Sequence, residues 1–220
     1  MFNLFLKIFV IVSFAFILVG CDPDEIQVEV YTSDVQLALE GKVVDIPVTF
    51  VFSMLGDDDE GTFDTVIEQI RGMVHPNTKF GKSESMLGES LIIESTIPMC
   101  KKEELKKASY PTPFYLQVEK QSNRNALVSF VDTNHREKIS TTLRGLNFML
   151  SLGEKAEETS IRVVSDTKDL VELNAVAVWV PAPMANMSES LKRRESKELI
   201  FKGGDSSIYS QINPNFVLTF

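Results

Sequence analysis

The sequence predicts an α+β fold in which antiparallel sheet carries one packed helix in each of two halves. Three observations predict it. Apolar and polar residues alternate along many short segments, most clearly at Val44, Ile46, Val48, Phe50 and Phe52, which is the period of a half-buried strand. Two longer segments carry a helical stripe instead: Phe63, Val66, Ile67, Ile70, Met73 and Val74, and later Ile139, Leu143, Leu146 and Leu150. The order of elements also recurs, ββαββ followed by ββαββ, with Ile70-Arg71-Gly72-Met73 overlaying Leu143-Arg144-Gly145-Leu146.

In chain order, Ile26–Tyr31 alternates as a first strand. Ser33–Gly41 is suited to one or two helical turns, capped by Ser33 and stopped by Gly41. The strand at Val44–Phe52 contains Pro47, which has no N–H to donate, so it belongs at an edge or has that side unpaired. An acidic loop, Asp57-Asp58-Asp59-Glu60, leads into the first helix, which Thr62 caps and Pro76 ends. Strands at Lys79–Met86 and Glu89–Pro98 complete a first half over 26–100. Lys101–Ala108 is a charged, helix-prone link, and Tyr110-Pro111-Thr112-Pro113 breaks the chain.

The second half, 113–181, reads as strands at Phe114–Glu119 and Ala126–Val131, the second helix, and strands at Ser160–Ser165 and Val171–Val180. A helix stripe and a sheet face bury each other, so each half is expected to lay its helix on its own sheet. The C-terminal extension, 182–220, reads as a polar helix at Ser188–Leu199, a strand at Glu198–Lys202, a turn at Gly203-Gly204-Asp205 and a closing strand at Phe216–Phe220. That ending has the look of an outer-membrane barrel's last strand, but the chain lacks a regular series of ten-residue amphipathic strands. A strand completing the domain's own sheet is expected.

The amino terminus is of another kind. Lys7 is followed by thirteen uncharged residues, Ile8–Gly20. As a helix these rise about 20 Å, short of a bilayer core of about 30 Å, which suits a signal-peptide core better than a spanning helix. The segment ends Leu18-Val19-Gly20-Cys21. This pattern resembles the lipobox of bacterial lipoprotein precursors. The resemblance implies cleavage between Gly20 and Cys21, a diacylglycerol on the Cys21 thiol and an acylated new amino terminus. More than one acyl chain makes a lasting anchor. The other reading is an uncleaved anchor over Phe2–Gly20 with Lys7 snorkelling. Asp22 after the cysteine implies retention at the inner membrane rather than the outer. Residues 1–20 are then a signal peptide, and 21–25 a lipidated tether that holds the domain close to the bilayer, facing the periplasm.

Removing the signal segment removes Lys7 and no acid, leaving 21 basic and 31 acidic residues, a net charge of −10. So acidic a domain repels nucleic acid and anionic headgroups. No nucleic-acid partner is expected. Cys21 and Cys100 are the only cysteines. With Cys21 acylated, Cys100 is expected to be an inert buried thiol, intermolecular pairing being the alternative.

Motifs for chemistry are sparse. Asp57, Asp58, Asp59 and Glu60 are weak metal candidates, because calcium loops place carboxylates on alternate positions and four consecutive acids point apart. His75 and His135, the only histidines, lack the i, i+4 spacing of a metalloprotease helix and read as surface residues. Gly204-Asp205-Ser206-Ser207 lacks the strand-to-helix frame of a nucleophile elbow. Lys192-Arg193-Arg194 reads as one face of a charged helix, with contact to acidic lipid as the alternative. Trp179 reads as core. No cofactor and no enzymatic activity are expected. The function these observations favour is a lipid-anchored, non-catalytic binding or assembly module for another envelope protein. The alternatives are a metal- or serine-dependent envelope hydrolase and a carrier of a small lipid or peptide.

Overall fold

A computed structural model describes residues 25–53, 62–85, 88–146, 158–179, 183–202 and 214–220. In chain order the elements are β1 (Glu25–Tyr31), α1 (Thr32–Leu39), β2 (Val44–Ser53), α2 (Thr62–Ile70), β3 (Lys79–Ser85), β4 (Gly88–Cys100), β5 (Phe114–Lys120), β6 (Asn125–Asp132), α3 (Asn134–Leu146), β7 (Glu158–Val164), β8 (Val171–Trp179), β9 (Pro183–Leu191), β10 (Ser196–Lys202) and β11 (Asn215–Thr219). Short 3₁₀ turns at Arg71–Met73 and Lys102–Lys107 extend α2 and bridge β4 to β5.

Among the described residues, all eleven strands belong to one mixed sheet, in the order β10-β7-β1-β2-β4-β5-β6-β11-β8-β9, with β3 on β4. This overturns the expected α+β arrangement of separate antiparallel sheets, each with its own helix. The difference lies in the partners. β7 does not pair with its sequence neighbour β8. It runs parallel to β1 over seven residue pairs, from Glu25↔Glu158 to Tyr31↔Val164. β4 and β5 are also parallel, at Met99↔Leu116 and Cys100↔Gln117. The first-half strands β1, β2, β4 and β3 stay together, and second-half strands join them on both sides in one sheet, β7 beside β1 and β5 beside β4; α2 and α3 pack on each other. β8 further meets β10 at Trp179↔Ile200, so all the strands except β3 and β9 form a closed ring.

Period-two patterning survives this rearrangement because it fixes faces rather than neighbours. Ile26, Val28 and Val30 of β1, Ile46, Val48, Phe50 and Phe52 of β2, and Leu91, Ile93, Ile97 and Met99 of β4 all turn inward. They meet Leu116, Val118, Val128, Ile161, Val163, Leu173, Leu199, Phe216 and Leu218 in one core. Phe114 stacks between Phe50 and Phe130, with ring centroids 5.9 and 5.0 Å away.

Pro47 explains itself locally. β2 is interior rather than an edge, pairing with β4 along its whole length. The ladder to β1, however, ends at Val28↔Val48, one position short of the proline. The helix α1 buries Thr32, Val35 and Ala38 and stops at Gly41, whose φ of +89° favours glycine. The predicted helix over Ser188–Leu199 is instead the end of β9, a turn, and the start of β10. Met187 and Leu191 point inward two positions either side of Glu189, so the residues keep a strand's period.

Candidate binding surfaces

Two features of the ring stand out as candidate sites. The first is an apolar slot. At the end of the sheet where β1 begins, Glu25 pairs with Val51, between Phe50 and Phe52. There α2 and α3 cover the inner face of β2 and β4. The stripes read from sequence supply the contact: Val66 and Ile70 of α2, and Ile139 and Leu143 of α3, are all buried. The gap left between these helices and Phe50, Phe52, Leu91 and Ile93 is lined wholly by apolar side chains and holds about 30 Å³. A cavity that admits benzene is about 150 Å³, and sites for drug-sized ligands start at about 300 Å³. The slot is thus well below the size of either.

The second feature is the edge of the sheet. Among the described residues, β9 pairs only with β8 and β3 only with β4. The two edges are built differently. β3 carries Lys79, Gly81 and Lys82, with Lys82 3.4 Å from Asp64 and Lys79 3.9 Å from Glu94. Lysines and glycine on an edge strand discourage further pairing. β9 has Pro183 at its first position and a single charge, Glu189, which lies 2.7 Å from Lys197. Met184, Ala185, Asn186, Ser188 and Ser190 are exposed while Met187 and Leu191 are buried. Val176 on the adjoining β8 and Met184 are exposed apolar residues that lie diagonally across that pair, Val176 facing Asn186 and Met184 facing Val178. Among the described residues, these nine residues of backbone therefore have one side unpaired, next to a small apolar patch.

The residues singled out by sequence fall apart. Gly20, Cys21, Asp22, the Asp57-Asp58-Asp59-Glu60 cluster and Gly204-Asp205-Ser206-Ser207 lie outside the described residues. His75 sits edge-on to Tyr110, ring centroids 4.3 Å apart, and its Nδ1 accepts the Asn77 N–H at 3.1 Å. His135 is exposed at the start of α3. Among the described residues, no three histidine, cysteine or acidic side chains gather as a metal set. Nor is any described helix long and apolar enough to cross a membrane.

Cys100 is fully buried. Burial, and then the neighbouring carboxylates Glu104 and Glu103, push its thiol up to about 11, which suits an inert thiol. Tyr110 beside it donates to Asp45 at 2.6 Å, and burial followed by that bond raises its hydroxyl well above the usual range. Trp179 closes the ring against Ile200, with Lys202 Nζ 5.0 Å above its ring. Lys192-Arg193-Arg194 forms the β9–β10 turn. It lies at the Tyr31 end of the sheet, opposite Glu25, since Tyr31 pairs with Val164 and Val164 with Ser196.

Sequence reading missed β9 as a strand and so missed its edge. The available signal was Met187 and Leu191 at even spacing between serines, with Glu189 interrupting the apolar face. No protein-family model matches this chain, and comparison with curated proteins and with solved structures finds no match.

Proposed function

We propose that this chain is a lipid-anchored module of the bacterial envelope that acts by binding another envelope protein and performs no catalysis. β9 is the strand that receives the partner. The observation that carries the reading is the contrast between the two edges: β3 carries two lysines, whereas β9, among the described residues, has one unpaired side and a single charge, Glu189, held by Lys197, with Val176 and Met184 exposed beside it. An extended segment added there gains a ladder of main-chain hydrogen bonds, and alternate side chains set its specificity. Acylated Cys21 is the attachment to the bilayer. It precedes Glu25 by four chain steps, which span about 14 Å at most, so the β1 end of the ring is held against the membrane.

Site-specific photo-crosslinking in whole cells tests this. A photoreactive residue at Ala185 or Ser188 is expected to form a discrete protein conjugate, while the same residue at Ser83 on β3 forms none. Equal labelling from both edges, or no conjugate from β9, would contradict the reading.

A further inference from the structure

The open edge also identifies a particular strand that fits it. We infer that β9 pairs with β9 of a second copy of this chain, antiparallel about a two-fold axis through Met187. This rests on the reading of β9 as the binding edge and takes the envelope protein bound there to be a second copy of this chain.

Register and charge both favour this pairing. A two-fold at Met187, the midpoint of Pro183–Leu191, is the one antiparallel alignment that pairs all nine residues. It sets Pro183 against Leu191, Met184 against Ser190, Ala185 against Glu189, and Asn186 against Ser188. The strand's only charge therefore faces alanine, and no like charges oppose each other. Opposed like charges would destabilise the pair. Proline's missing N–H falls at the end of the ladder, where it interrupts nothing. Inward residues stay inward as well: Met187 meets Met187 of the second copy, and the buried row of Met187 and Leu191 continues across the junction. The exposed Asn186, Ser188 and Ser190 meet polar partners or methionine on the outer face. β9 is thus complementary to itself, as a closed two-fold interface requires. β3 does not share this property, because its midpoint is Lys82, which a two-fold would set against itself.

The test uses the full chain in its native membrane. Co-expressed Asn186→Cys and Ser188→Cys chains are expected to form a disulfide-linked dimer under mild oxidation, because these positions face each other across the axis. In detergent, Asn186→Lys/Ser188→Lys is expected to sediment as a monomer, and so is Asn186→Glu/Ser188→Glu. Mixing the two is expected to restore the dimer. Both positions are exposed, and an unchanged circular dichroism spectrum shows that each variant folds.

A wild-type chain that stays monomeric at every concentration, or lysine and glutamate variants that do not recombine, overturns the inference. A β9 conjugate to a different envelope protein also overturns it while leaving the binding reading intact. No β9 conjugate of any kind in cells overturns both.

Discussion

Asp166 caps a helix that lies 133 positions away in the chain. Its Oδ1 accepts the Ser33 N–H and the Thr32 hydroxyl, each at 2.9 Å, and its Oδ2 accepts the Ser33 hydroxyl at 2.5 Å. The Asp166 N–H in turn donates to Thr32 Oγ1 at 3.2 Å. The cap ties α1, which follows β1, to the turn after β7, and so locks the parallel β1–β7 pair.

Removing that cap is expected to loosen the fold. Asp166→Ala should cost about 0.5–2 kcal/mol, the range for losing a side-chain helix cap. Asp166→Asn, which keeps an acceptor, should cost less. Urea denaturation of the purified chain measures both.

The same carboxylate sets an acid dependence. Burial raises the Asp166 pKa, but the hydrogen bonds from Ser33 and Thr32 outweigh it and hold the group below its ordinary value. Its contribution is therefore present above the unfolded carboxylate's value of about 3.9 and lost as pH falls through the lower folded value. Asp34 runs the other way, raised by burial and then by Asp166. Stability measured from pH 6 down to pH 2 should fall less steeply in Asp166→Asn than in the wild type. An identical slope would remove Asp166 from the account.

Cys100 supplies a prediction at high pH. With its thiol at about 11, against about 8.5 for a free cysteine, the native protein should react with iodoacetamide at pH 8 at least roughly a hundredfold more slowly than the unfolded chain. The unfolded thiol ionises first, so this group's share of stability declines as pH climbs from about 8.5 towards 11. Mass-resolved alkylation with and without denaturant reads the difference.

Arg194 holds a left-handed backbone, φ +71°, while its N–H donates to the Ser165 carbonyl at 2.6 Å. That conformation costs a non-glycine residue about 1–2 kcal/mol, and glycine's extra freedom in the unfolded chain takes back roughly half to one. Arg194→Gly should therefore stabilise by about 0.5–1 kcal/mol, seen as a raised denaturation midpoint.

Leu143 closes the slot beneath α3. Leu143→Ala should cost about 2–5 kcal/mol, as for other buried leucines, and should enlarge the apolar gap enough for xenon or benzene to raise the variant's melting temperature and not the wild type's.

Much of the local structure was legible because it depends on nearest residues. Alternation placed Ile46, Val48, Phe50 and Phe52 on one face, and Gly41 marked the end of α1. Neighbours were not legible. Nothing in Val28 or Ile161 says that their strands run side by side in parallel, and Asp166 carries no local sign of Ser33. β9 was misread because Glu189 occupies an inward position, where its pairing with Lys197 replaces the apolar residue a strand pattern leads one to expect. The open edge followed from that strand, so it too became visible only in the fold.

The proposed attachment of this domain to a lipid surface runs through one cysteine, Cys21. Intact-mass spectrometry of the protein extracted from membranes tests it most directly. The expected species begins at Cys21 and carries the added mass of a diacylglycerol with a further acyl group. A species that retains Met1, or that begins at an unmodified Cys21, would contradict it.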